Sequence, residues 1–265
     1  MNIYKEQLTE KYKNIFALDR NKPDWAVKKK SGDGNIHPAV PFVGESYEKT
    51  RLLLYASAEN LTHYANDDSL DNEVNAIDRR KILDDRFFPS VHISPVDNGP
   101  LLVVAAYILN KLNFDLNYSN PYEFIEYIAI DNFCKFSIKT TNEDRINKDY
   151  VDDIKKISAS YEYVKSDLDI LKPNILILPK TIFFHSEVKK IIQSTLPDCL
   201  IFPIFQINAG NINRIIAKCY EKKNQNEIKE IFLKWQKEFH GGIRGKTNEN
   251  FYSVYSYLDK FFENK

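Results

Sequence analysis

Four short apolar runs constrain this chain more than any other feature: residues 52–56, 124–130, 175–178 and 200–205. Each has the length of a strand, and none alternates strictly between apolar and polar residues. A strand with one wet face would alternate, so these runs suit strands covered on both faces, as in a parallel sheet. Segments with helical spacing fill the gaps. Residues 2–20 carry Ile3, Leu8, Tyr12, Ile15 and Phe16 among charges, and 99–113 open on Gly99-Pro100, with proline where a first helical turn tolerates it. Residues 150–171 place Ile154, Ile157, Tyr161, Val164, Leu168 and Leu171 at helical intervals, and Lys172-Pro173 ends them and launches the third strand. Further helices are expected over 183–194, 211–223, 225–239 and 250–263. Strand alternating with helix predicts an α/β fold, a three-layer α/β/α sandwich around a central, mostly parallel sheet of about four strands. One domain is expected over 1–265: an N-terminal helix and leader (1–50), an α/β core (51–215) and C-terminal helices (216–265).

A charge balance of 37 Lys+Arg against 37 Asp+Glu excludes a protein coated in basic surface, but not a local nucleic-acid site. The charge is uneven. Residues 66–130 hold 5 basic and 11 acidic residues, and 201–265 hold 11 basic and 7 acidic, so a polyanion would meet the last quarter first. No stretch reaches the roughly 18 to 20 apolar residues needed to span a bilayer. The N-terminus has no apolar signal core, so a cytoplasmic protein without a membrane partner is expected. Cys134, Cys199 and Cys219 form no C-x-x-C pair, which argues against a thiolate zinc site and for reduced thiols. Residues 66–98 form a long insertion with apolar content, expected to be ordered.

Ligands of an open parallel sheet bind outside the carboxyl ends of its strands. Those ends lead into Ser57-Ala58-Glu59-Asn60-Leu61-Thr62-His63-Tyr64, Asp131-Asn132-Phe133-Cys134-Lys135, Pro179-Lys180-Thr181 and Gln206-Ile207-Asn208. One carboxylate, several amides, a histidine and a lysine would converge there, and amides suit a planar ligand with donors and acceptors, such as a nucleobase. Carboxylates and histidines at metal-ligand spacing are lacking, so neither metal nor cofactor is expected. Two motifs mislead. Gly241-Gly242-Ile243-Arg244-Gly245-Lys246-Thr247 looks like a phosphate loop, but the glycine required five residues before Gly245 is His240. Ser57 lacks the G-x-S-x-G setting of a nucleophile, being flanked by Tyr55 and Glu59.

Over roughly residues 40–215 the segments resemble the uracil-DNA glycosylase superfamily. The run from Tyr161 to Leu178, through Asp167-Leu168-Asp169-Ile170-Leu171-Lys172-Pro173, is similar to that family's "yl..El..lkPkvIv.LG" helix into its third strand. The stretch from Tyr127 to Lys135 is similar to its "hyitNvvKc" strand, and Pro41-Phe42-Val43-Gly44-Glu45 precedes the first strand in the expected order. The family's first motif has a glycine, and usually a proline, where this chain has Ser57-Ala58-Glu59-Asn60-Leu61. Its last commonly has His-Pro-Ser where this chain has Gln206-Ile207-Asn208. The resemblance therefore implies an atypical member acting on a damaged or modified base other than through the common uracil chemistry.

The implied reaction is hydrolysis of an N-glycosidic bond in DNA, with the base flipped into a pocket. Positive charge builds on the sugar and negative charge on the departing base. Glu59 takes the water-orienting and cation-stabilising role, Asn132 reads the base, and Asn208 or Gln206 donates to the leaving base. His63 and Tyr64 shape the pocket. Lys180, Arg214, Arg244 and Lys246 meet the DNA backbone. The alternative is a nucleic-acid or nucleotide-binding protein that keeps the fold without the chemistry.

Overall fold

The computed structural model describes residues 3–18, 40–58, 100–117, 124–136, 157–204 and 258–263, with positions 23, 38, 226, 227 and 230. In chain order these form α1 (Ile3–Phe16), β1 (Phe42–Val43), β2 (Leu52–Ala58), α2 (Pro100–Lys111), β3 (Ile128–Cys134), α3 (Tyr161–Leu171), β4 (Ile175–Pro179), α4 (Lys180–Phe183), α5 (Ser186–Thr195) and β5 (Leu200–Ile204). Residues 258–263 are also helical. No helix among the described residues is long and apolar enough to cross a membrane.

The fold is mixed α/β around a five-stranded, mostly parallel sheet in the order β1-β3-β2-β4-β5. The strands β3, β2, β4 and β5 run parallel, and β1 closes the edge antiparallel to β3. Chain order and spatial order part company at β2. The chain leaves β2 for β3 on one side, then crosses to β4 on the other. The strand order therefore reverses between β2 and β4, the position where open α/β sheets leave a crevice at their carboxyl edge.

Side chains on a strand alternate between the two faces of the sheet, and two apolar clusters follow that alternation. Leu52, Leu54, Ile128, Ile130, Ile175 and Ile177 share one with Val104 to Leu109 of α2 and with Leu258. Leu53, Tyr55, Ala129, Leu176 and Leu178 share the other with Leu8 and Tyr12 of α1, Tyr163, Val164, Leu168 and Leu171 of α3, and Val188, Ile191 and Ile192 of α5. In α3 the buried positions 163, 164, 167, 168 and 171 form one stripe at helical spacing. The helix stops at Lys172, which adopts a left-handed cap with φ 44° and returns its N–H to the Leu168 carbonyl at 2.9 Å. Pro173 follows and cannot continue the helix.

Several boundaries differ from the sequence expectation. The second strand was expected over 124–130, but Phe124 leads into a 3-10 turn over Ile125–Tyr127, and the strand runs to Cys134. Phe124 and Ile125 are apolar because they are buried in the core, which hydrophobicity reports without specifying conformation. Asp131, Asn132, Phe133 and Cys134 thus lie within the strand rather than after it. The leader contains β1, two residues long and too short for any periodic signal. Gly44 follows it because a Cβ there would lie 2.3 Å from the Glu126 carbonyl oxygen. The helix expected over 183–194 is two helices, α4 and α5, interrupted at His185, whose backbone is extended. The expected helix over 150–171 is described from 157, and α3 itself begins at Tyr161. The insertion at 66–98, the helix at 211–223 and most of 225–257 lie outside the described residues.

Candidate functional site

At the carboxyl end of the sheet, Tyr55 of β2 pairs with Asp131 of β3, and Ala56 pairs with Asn132. Pleating sends the two pairs to opposite faces, and their surroundings differ. Ala56 and Asn132 are half-buried, whereas the preceding residues of both strands are buried. The apolar filling of that face therefore stops at Leu54 and Ile130, and a side-chain amide beside a methyl group begins the accessible part.

On the other face Asp131 meets two further buried charges. Lys135, just past the end of β3, is fully buried and forms ion pairs with Asp131 and, at 2.6 Å, with Asp167 of α3. The Tyr12 hydroxyl from α1 donates to Asp167 Oδ1 at 2.7 Å, and the Tyr55 hydroxyl from β2 donates to Oδ2 at 2.7 Å. Asp131 Oδ1 accepts the backbone N–H of Asn132 at 2.7 Å. The Lys135 ammonium also lies 5.1 Å from the Tyr55 ring centroid and 5.7 Å from that of Tyr12, within cation–π range. Its backbone N–H donates to the Ser160 hydroxyl at 2.8 Å, which ties the end of β3 to the start of α3. One network thus joins α1, β2, β3 and α3.

Two carboxylates face one ammonium here. Burial pushes the Asp131 carboxyl up to about 7, and the nearby Asp167 charge adds to the rise while Lys135 opposes it. Burial raises Asp167 too, against the stabilising effect of Lys135, Tyr12 and Tyr55. Burial alone would lower Lys135, but Asp131 and Asp167 hold it above its ordinary value. Asp167 accepts from three donors and Asp131 from two, so the extra proton goes to Asp131. Lys135 and Asp167 then remain a neutral pair, the arrangement a low-dielectric interior favours. Burial, followed by the two carboxylates, also pushes the Tyr12 and Tyr55 phenols well above their ordinary range, so both act as donors.

The structure places two of the sequence-predicted site residues. Asn132 lies near the carboxyl end of β3. Lys180 is the first residue after β4, at the strand-order reversal, with its ammonium 5.3 Å from the ring centroid of Phe184. Phe184 is 71% exposed, more than any other large apolar residue described. Glu59, His63, Tyr64, Gln206, Asn208, Arg214, Arg244 and Lys246 lie outside the described residues. Among the described residues no group of three or more His, Cys, Asp or Glu could hold a metal ion.

Sequence reasoning passed over Lys135, Asp167, Tyr12 and Tyr55 as a unit. One signal was present: Asp167 occupies the apolar stripe of its helix, and a carboxylate there needs a buried donor. Nothing local named the donors, which come from three other elements. The chain matches no family model, no curated protein and no solved structure.

Proposed function

We propose that this chain is a DNA glycosylase-like enzyme that hydrolyses the N-glycosidic bond of a damaged or modified base, built on a three-layer α/β/α sandwich. The observation that carries the reading is the half-buried Asn132 beside Ala56 at the carboxyl end of the sheet. A side-chain amide offers a donor and an acceptor in one plane, which matches a base edge, and the neighbouring alanine leaves room for a ring. Lys180 and exposed Phe184 lie two strands away, about 10 Å at ordinary strand spacing. A cation beside an exposed aromatic suits a nucleic-acid strand, whose phosphates need the charge and whose bases stack on the ring.

In this reading Glu59 orients water and stabilises the sugar cation, Asn132 holds the base, and Asn208 or Gln206 donates to the leaving base. His63 and Tyr64 line the pocket, and Arg214, Arg244 and Lys246 join Lys180 on the backbone. A cytoplasmic protein with DNA as its partner and no cofactor follows from the same reading. One observation favours binding without chemistry as the second reading. Asp131, the carboxylate nearest Asn132 in sequence, is committed to Lys135 and is not available to a substrate. Catalysis then depends on Glu59 alone.

The test is a panel of single-stranded and duplex oligonucleotides carrying uracil, hypoxanthine or modified cytosines, scored for alkali-labile sites. Excision of one base, lost in Asn132→Ala and reduced on the order of 10²–10³-fold in Glu59→Gln, is expected. Tight binding with no excision from any substrate would select the second reading. Neither binding nor excision would remove both.

A further inference from the structure

We propose that Asp131, held in place by Lys135, is a positioning residue for Asn132, and that the buried network of Asp131, Lys135, Asp167, Tyr12 and Tyr55 fixes the amide that reads the base. The inference deepens the proposed function and rests on its assignment of Asn132 to the base.

The geometry begins with the edge of the sheet. Gly44 N–H donates to the Ile128 carbonyl at 3.0 Å, so even-numbered residues of β3 turn their backbone polar groups toward β1. β1 is only two residues long and pairs with Ala129 and Ile130. The N–H of Asn132 therefore points past the end of β1, where no strand among the described residues receives it. A peptide N–H left there without an acceptor would cost about as much as a lost hydrogen bond, although the Asp131 side of the same peptide is held by the pairing of β3 with β2. Asp131 supplies the missing acceptor with its own side chain, at 2.7 Å.

A carboxylate can do this only if its second oxygen is also fixed. Lys135 holds that oxygen, and Lys135 is anchored in turn by Asp167 at 2.6 Å and by the bond from its own backbone to Ser160. Asp167 is held by Tyr12 and Tyr55. Every member is a buried group with a fixed partner, so the network transmits position rather than averaging it away. The pairing with Ala56 sets the face on which the Asn132 amide is presented, and the bond to Asp131 holds the outer edge of the same peptide so that the amide is presented from a fixed backbone.

The network also makes the position depend on pH. The described titratable groups acting on Asp131 are Lys135 beyond the end of its own strand and Asp167 of α3, while Tyr55 of β2 and Tyr12 of α1 feel its charge in return. Protonating Asp131 weakens it as an acceptor for the Asn132 N–H. The amide proton of Asn132 should therefore report the charge on Asp131 directly, without any ligand.

The experiment records ¹H–¹⁵N spectra of the full chain between pH 5 and 9, for the wild type and for Asp131→Asn. In the same buffers it measures affinity for single-stranded and duplex oligonucleotides carrying uracil, hypoxanthine or 5-methylcytosine. The Asn132 amide proton should titrate in the wild type and stop titrating in Asp131→Asn, which keeps the shape, removes the charge and offers one oxygen to the two donors, Asn132 N–H and Lys135. Affinity for the best-bound oligonucleotide should change several-fold across the same midpoint in the wild type and lose that pH dependence in the variant. An Asn132 amide that does not titrate, or titrates identically in both chains, overturns the positioning role and leaves the base-reading assignment standing. An amide that titrates while affinity for every bound oligonucleotide ignores pH removes Asn132 from the base, and the inference falls with that assignment. Binding to none of the oligonucleotides has the same consequence.

Discussion

The two faces of the sheet are built on different principles. The face toward α2 is apolar as far as Leu54 and Ile130, with Leu52, Leu54, Ile128, Ile130, Ile175 and Ile177 against Val104 to Leu109, and Ala56 and Asn132 follow toward the carboxyl edge. The face toward α1, α3 and α5 carries a similar apolar floor but ends, at the carboxyl edge, in the network of Lys135, Asp131, Asp167, Tyr12 and Tyr55. Apolar packing is non-directional, so the first face tolerates any side chain of fitting volume. The second requires each donor to meet its acceptor, because a buried charge without a partner is costly. The difference teaches where the chain has been specified: the polar face fixes α1 and α3 in register with β2 and β3, next to Asn132.

Breaking the polar face should have the largest effect. Lys135→Met leaves Asp131 and Asp167 buried without their cation, and should cost about 3–5 kcal/mol in urea unfolding at neutral pH. An unchanged unfolding midpoint would mean that the network is open to water. On the apolar face, Ile108→Ala removes a fully buried side chain of α2 and should cost about 2–5 kcal/mol through lost burial and a residual cavity. Ile108 shares no partner with Lys135, so the double variant should lose the sum of the two to within about 0.5 kcal/mol. Strong coupling between them would show that the faces are not independent.

The comparison sharpens with pH. The Asp131 carboxyl lies at about 7 in the folded chain, against 3.8 ordinarily. The folded state thus binds a proton that the unfolded state has released. The stability it contributes is complete below the ordinary value and is lost as pH rises through about 7. Unfolding free energy should therefore fall between pH 5 and 7, by at most about 1.4 kcal/mol per pH unit for one whole proton. Asp131→Asn should lessen that slope, Asp167 with its likewise raised carboxyl supplying what remains, and Ile108→Ala should leave it as it is. Lys135, raised above its ordinary value by the carboxylates, adds stability that is lost only at strongly alkaline pH. The smallest effect belongs to an exposed pair. Lys165 and Glu162 sit 2.8 Å apart on the outer side of α3, and Glu162→Gln should change stability by less than about 0.5 kcal/mol. A loss as large as that of Lys135→Met would mean that charge pairing, not burial, sets the energetics of this face.

Much of the fold was legible in the chain itself. The runs at 52–56, 175–178 and 200–205 became β2, β4 and β5, and the α2 region was marked by its apolar length and the proline at its start. These signals are local: they report which residues are buried and at what period. The same locality misplaced the second strand, because Phe124 and Ile125 are as buried in a 3-10 turn as they would be in a strand. Of the candidate site, Asn132 and Lys180 were named from their places at strand ends. Asp131 and Lys135, quoted in the same stretch, were not recognised as partners in a network.

By itself the sequence determined where α1, β2, α2, β4 and β5 form, because burial and period are written in neighbouring residues. It determined the end of α3, because Lys172-Pro173 stops a helix whatever surrounds it. Only the tertiary structure decided the strand order, the edge strand at Phe42–Val43 and the meeting of the charges. Tyr12 and Asp167 lie 155 positions apart, and Tyr55 and Asp167 lie 112 apart. No period in the chain encodes such a pairing. It exists because α1 and α3 pack on the same face of β2 and β3, which brings two phenols and an ammonium to a carboxylate that each helix or strand alone would leave in water.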